Sequence, residues 1–107
     1  MSQWVVDFVN AAAAAEFKAL PRDVSARLSR TLDIFRQKGP ASLIMPLARP
    51  VEGALWELRA AGRDGIVRSL YVLASGRKLV ILRTFRKTTQ KTPRSEIELA
   101  MRRAKEL

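Results

Sequence analysis

Leu55–Phe85, LWELRAAGRDGIVRSLYVLASGRKLVILRTF, decides the fold. Three runs rich in β-branched, aromatic and leucine residues, Leu55–Ala60, Gly65–Leu73 and Leu79–Phe85, are punctuated by Gly62 and by Ser75-Gly76. The gaps are too short for a crossover helix, so the runs are predicted to pair as antiparallel hairpins. Strict alternation then sorts the side chains. Arg68 falls on one strand face with Ile66, Leu70 and Val72; Glu57 and Arg59 share a face of the preceding strand; Arg83 sits among Leu79, Ile81 and Phe85. Basic side chains inside apolar faces have to reach an edge of the core or line a cleft. Adjacent strands bring Arg59, Arg68 and Arg83 toward the middle of the sheet, with Lys87 and Lys91 beyond its end.

Outward from this segment the pattern changes. Gln3–Phe8 (QWVVDF) reads as a first strand, and Asn10 as the cap of a short helix over Ala11–Leu20. Pro21 opens a second helix whose Val24, Leu28, Leu32 and Phe35 form one apolar stripe, and Gly39-Pro40 stops it. Ala41–Gly53 contains Pro46 and Pro50, has no clear period, and is expected to be an irregular connection. After Arg86–Thr92, the pair Thr92-Pro93 is expected to cap and start a last helix with Ile97, Ala100, Met101 and Ala104 on one face. The order β-α-α-β-β-β-α predicts a single α+β domain over residues 1–107, a twisted antiparallel sheet with helices packed on one face.

Charge narrows the function. The chain carries 20 Lys and Arg against 10 Asp and Glu, a net charge of +10. Most of it lies late: Met1–Gly53 is +2, Ala54–Leu107 is +8, and Arg77–Arg94 holds seven basic residues and no acidic one. Such a field attracts polyanions and speeds encounter with RNA or DNA; it also suits an acidic protein partner. With no Cys and no His, Cys/His zinc sites, Cys nucleophiles and Ser-His pairs drop out. No metal and no cofactor is expected. Asp7 interrupts the first apolar run and no basic leader precedes it, so no signal peptide is read there. Glu16 and Lys18 cut the Ala run short of a membrane span. A cytoplasmic location is expected.

A cluster of fixed cations without His suits phosphoryl transfer. In RNA cleavage the ribose 2′-OH attacks the adjacent phosphate, and charge grows on the phosphate and leaving oxygens. Guanidinium and ammonium groups stabilise that charge and hold the in-line geometry. For the general base, Glu57, Tyr71 and a Lys whose pKa is lowered by neighbouring cations all stay open. Trp56 and Tyr71 are each read either as a stacking platform for a base or as core.

Leu55–Arg59 (LWELR), the Gly65–Tyr71 strand with its G-I-V-R-x-x-Y pattern, Phe85–Pro93 (F-x-K-x-x-x-K-T-P) and Glu96–Ala100 (EIELA) resemble, in order and spacing, the HigB-like, phage-related branch of the RelE/ParE toxin superfamily. The resemblance covers about half the chain. It implies a microbial-RNase-like fold and metal-independent, ribosome-dependent cleavage of mRNA. It also implies a cognate antitoxin, a helix-turn-helix protein, in a hetero-oligomer with the toxin. Carried over by position, Arg68 matches the active-site Arg and Lys87 the basic residue after the last strand. Arg59 and Tyr71 fall on further motif positions and complete the expected catalytic set. Arg83, Arg86, Lys91 and Arg94 are the expected RNA contacts. The chain departs from the branch twice: Arg83 stands where a His is common, and Thr88 where a second Lys is common. The same superfamily includes gyrase poisons of the ParE type, and a non-catalytic basic binding module is the reading from another class. An Arg68→Ala variant is expected to lose growth arrest and to keep its fold and its antitoxin binding.

Overall fold

A computed structural model describes residues 3–87 and 91–107; Thr88 and the side chain of Lys87 lie outside the described part. The elements are β1 (Val5–Phe8), α1 (Ala11–Lys18), α2 (Arg22–Lys38), β2 (Ala48–Glu52), β3 (Leu55–Gly62), β4 (Gly65–Ala74), β5 (Lys78–Lys87) and α3 (Arg94–Ala104). The strands form one sheet in the order β1-β5-β4-β3-β2. The expected hairpins β3–β4 and β4–β5 are present and antiparallel, whereas β1 runs parallel to β5.

The helix signals act as read. Asn10 Oδ1 accepts from the Ala13 backbone N–H at 2.9 Å and so satisfies one of the donors that the start of α1 leaves open. Gly39 ends α2 at φ +76°, donating its N–H to the Phe35 carbonyl. A Cβ at Gly39 would collide with the Trp4 indole, so both backbone and space require glycine.

Three expectations are corrected. First, the segment read as irregular contains a strand. β2 is an edge strand, where Pro50 costs little because no neighbour needs its missing N–H, and it pairs Arg49 with Glu57. Second, β5 carries a bulge: Leu70 pairs with Arg83 and Tyr71 with Ile81, leaving Leu82 as the extra residue. Leu79 and Ile81 therefore face one side of the sheet, while Phe85 and Arg83 turn to the other, the side of Arg68 and Leu70. Third, the helices divide between the faces. Val24, Leu28, Leu32 and Phe35 of α2 pack with Leu58, Val67, Tyr71 and Ile81, and Phe17 of α1 packs against the same cluster. Ile97 and Ala100 of α3 pack on the opposite face with Leu55, Leu70, Val80 and Phe85.

The α2 face is the main core. Leu28 and Phe35 have no exposed surface, and burial of each such side chain is worth roughly 1.5–3 kcal/mol. The α3 face is stitched largely by charge. Arg83 spans Glu16 and Glu96 at 2.7 Å each, Arg103 meets Glu16 at 2.9 Å, and Arg94 meets Glu52 at 2.5 Å. β1 stops opposite Ile81, and α1 shields the next stretch of the β5 edge: the Thr84 N–H donates to Glu16 at 3.4 Å. Burial pushes the Glu16 carboxyl up, but Arg103, the Thr84 N–H and Arg83 together outweigh it and hold its pKa below the usual value.

Candidate active site

The α3 face places Arg68 and Glu57 on adjacent strands as diagonal neighbours: Arg68 lies opposite Arg59, and Glu57 opposite Leu70. Both side chains are buried, at 3% and 1% exposure, and they form an ion pair. A pair so enclosed depends on both members, because removal of one leaves an uncompensated buried charge. Glu57 offers Oε2 to Arg68 Nη1 and Oε1 to the Thr92 hydroxyl, which donates at 2.6 Å across 35 residues of sequence. Thr92 was expected to cap α3. Pro93 occupies that position with no side-chain cap, and the Thr92 hydroxyl serves Glu57 instead.

Beside this cluster lies a cavity of about 250 Å³ whose walls include Arg49, Arg68, Glu57, Lys91, Thr92 and Ile97. Three cations face one carboxylate, so the cavity carries net positive charge and selects anions. Its volume is below that of ordinary small-molecule pockets and accommodates a compact charged group such as a phosphodiester. Among the described residues no group of three or more His, Cys, Asp or Glu is placed to hold a metal ion.

The structure brings together only part of the expected set. Arg68 and Lys91 share the cavity. Lys87 ends β5 opposite Ile66, two residues beyond the Phe85 that pairs with Arg68; its side chain is outside the description. Arg59 is the cross-strand partner of Arg68, yet it lines a different hollow, with Arg27, Arg30 and Ile34.

Tyr71 leaves the constellation. Three residues from Arg68, it belongs to the α2-side core at 2% exposure, and burial pushes its phenol up to about 12. That phenol is neither near the cavity nor suited to accept a proton at neutral pH. Trp56, its cross-strand partner, packs in the same core, so of its two readings the structure takes the core one. Arg83 is committed to Glu16 and Glu96, and Arg94 to Glu52 and Glu98. Those contacts raise the pKa of each, chiefly through the side-chain hydrogen bond to Glu96 and to Glu52 respectively. Arg86 is exposed beside the α1–α2 joint, in a hollow with Leu20, Pro21 and Val67.

Arg49 and Thr92 are the site residues that sequence reasoning missed. Arg49 sat between two prolines in a stretch without period, and only the register opposite Glu57 delivers it to the cavity.

Residues 15–105 match the family model described as phage-derived protein Gp49-like (DUF891). The chain superposes on the structure of the E. coli toxin RelE, a double Arg-to-Ala mutant in the free state, with TM-score 0.59 and 14% identity, over 94% of this chain and 97% of that one. It also superposes on the intact E. coli RelBE toxin–antitoxin complex, with TM-score 0.53 and 12% identity, over 80% of this chain and 99% of that one. At these identities the likeness is one of fold. No curated protein sequence matches the chain. No helix among the described residues is long and apolar enough to cross a membrane. Since the family model spans most of the sequence, the chain belongs to the phage-derived Gp49-like family, one of the RelE/ParE-like toxin families.

Proposed function

We propose that this chain is the toxin of a toxin–antitoxin pair and acts as an endoribonuclease on ribosome-bound mRNA, without a metal, until a cognate antitoxin neutralises it. The observation that carries the reading is the cationic cavity at Arg68, in a fold shared with RelE. Arg68 is held by Glu57, and Glu57 by Thr92, so the guanidinium is preorganised and its position costs nothing at the moment of reaction. Arg49 and Lys91 line the same cavity and grip the non-bridging oxygens of the scissile phosphate. The 2′-oxygen bonds to phosphorus and releases its proton to water, the bond from phosphorus to O5′ breaks and O5′ takes a proton from water, leaving a 2′,3′-cyclic phosphate and a 5′-hydroxyl, while the fixed cations stabilise charge on the phosphoryl oxygens. Glu57 serves as the group that positions Arg68, because both its oxygens are engaged.

The burial of Arg68 favours a second reading. An Arg at 3% exposure, already neutralised by Glu57, is also what a structural ion pair in a non-catalytic binding module looks like. The test is induced expression in a bacterial host with three readouts: growth, 5′ ends of abundant mRNAs, and DNA supercoiling. Arrest with new 5′ ends inside translated codons is the expected result, and Lys91→Ala is expected to reduce cutting by about 10²-fold. Intact mRNA with altered supercoiling would replace the reading with a gyrase poison. Intact mRNA and intact DNA would leave a binding module.

A further inference from the structure

We propose that the hollow between α2 and the end of β3 is the docking site for an acidic, apolar-faced segment of the antitoxin, separate from the Arg68 cavity. The partner's identity rests on the toxin reading above; the surface itself rests on the following observations.

The ladder between β2 and β3 ends at Leu58, the Arg59 N–H donates to the Leu47 carbonyl, and β3 runs on past this contact to Gly62. A hollow of about 360 Å³ opens there, floored by Ala60 and Ala61 and walled by Ile34 and Leu47. Ile34 and Leu47 are 40% and 43% exposed, and the turn before Leu47 adds Ile44 and Met45 at 63% and 67%. These are four of the seven large apolar side chains that the described residues leave exposed; two of them line the hollow, and the other two belong to the turn that leads into Leu47. Apolar surface grouped in this way marks an interaction site, whereas scattered exposed residues need no explanation.

The rim sets the partner's chemistry. Arg27, Arg30 and Arg59 ring the hollow, and no carboxylate lines it. Arg27 donates to the Ala61 carbonyl on the strand edge, while no ion pair among the described residues engages Arg30 or Arg59. Cations alone would suit RNA, but a phosphate backbone has no use for the apolar walls at Ile34 and Leu47. A protein segment with an apolar stripe and flanking Asp or Glu satisfies both the floor and the rim. In interfaces of this kind the apolar anchors carry affinity, and the rim charges mainly steer association.

Arg59 is also the cross-strand partner of Arg68. It lies two positions along β3 from Glu57, so an occupant reaching Arg59 from the hollow comes to rest beside the cavity, of whose walls Arg59 is not a part. Binding and neutralisation are therefore separable from catalysis by substitution at Ile34 and Leu47.

The test uses the full chain and the protein encoded by the adjacent reading frame, purified separately and titrated by calorimetry. Ile34→Glu and Leu47→Glu are each expected to weaken binding at least about 30-fold, the loss typical of a hot-spot residue. Arg30→Glu is expected to slow association and flatten its salt dependence. Leu73→Glu, an equally exposed apolar position outside the hollow, serves as control and is expected to bind as the parent does. All four positions are exposed or half-buried, and matched melting curves verify that each variant folds. Unchanged affinity in both glutamate variants would overturn the proposal, as would failure of the parent to bind. A loss confined to RNA affinity would overturn it in favour of a nucleic-acid surface. If the parent causes no growth arrest yet binds through Ile34 and Leu47, the docking site stands and the toxin reading falls. If it arrests growth and the variants are neutralised as before, the reverse holds.

Discussion

The two faces of the sheet are built on different physics. On the α2 side, Val24, Leu28, Leu32 and Phe35 close over an apolar floor that includes Tyr71. On the α3 side, the apolar contact centred on Ile97 and Ala100 is supplemented by ion pairs: Arg68 with Glu57, Arg83 with Glu16 and Glu96, and Arg94 with Glu52. The first face supplies most of the hydrophobic stabilisation. The second trades apolar contact for fixed charge, and the cavity for an anion opens there. Most of the apolar core and the proposed site thus lie on opposite sides of one sheet, and the contrast can be broken at named residues.

The largest expected effect is at the buried pair. Arg68→Ala leaves Glu57 buried without its cation and should cost about 3–5 kcal/mol in urea unfolding. The burial of this pair weighs against the expectation that the variant keeps its fold, so lost arrest in Arg68→Ala alone would not separate chemistry from unfolding. The double variant Arg68→Met with Glu57→Gln removes both charges at similar volume. It should recover most of the stability and none of the activity; recovery of arrest would show the pair to be structural only.

On the opposite face, Leu28→Ala opens a cavity in the core and should cost about 2–5 kcal/mol, with activity retained at temperatures where the fold persists. Loss of activity without loss of stability would mean that the faces are coupled. The Tyr71 phenol sharpens the same contrast in alkali. Its folded pKa, pushed up to about 12 by burial, lies above the ordinary 10.0, so the unfolded chain releases the proton first. Stability is intact below pH 10 and should fall as pH rises from about 10 to 12. Tyr71→Phe should flatten that decline, as read by melting curves against pH.

The charged face responds in acid. The folded pKa of Glu16 lies below its ordinary 4.5, so its contribution is present above that value and lost as pH falls through the lower, folded one. Glu16→Gln should be less stable than the parent at neutral pH, and the two melting temperatures should converge in acid. The smallest effect belongs to Arg94→Ala. Arg94 is 59% exposed, and its pairs with Glu52 and Glu98 are screened by solvent, so no measurable change in Tm is expected.

How much the sequence revealed follows the same division. Local signals were legible: the Asn10 cap, the α2 stripe, the glycine stop at Gly39 and the β3–β5 hairpins all rest on neighbouring residues. Non-local ones were not. The prolines at 46 and 50 disguised β2, because an edge strand tolerates what a central strand forbids. One extra residue, Leu82, turned Arg83 and Phe85 to the opposite face from the one that plain alternation assigned. At the site, Arg68 stood out as a cation on an apolar strand face. Its partners did not: Glu57 is held by Thr92 from 35 positions away, and Arg49 arrives only through pairing of β2 with β3. Tyr71 matched a motif, yet parity placed it in the core.

The central claim is that the Arg68 cavity cleaves mRNA on the ribosome, and mapping of 5′ ends on a defined mRNA tests it most directly. Purified chain would be added to that mRNA with and without programmed ribosomes, beside the Arg68→Met, Glu57→Gln double variant. The account predicts new 5′ ends within codons only when ribosomes are present and only with the parent chain. Equal cutting by the double variant, or no cutting by the parent on ribosomes, would contradict it.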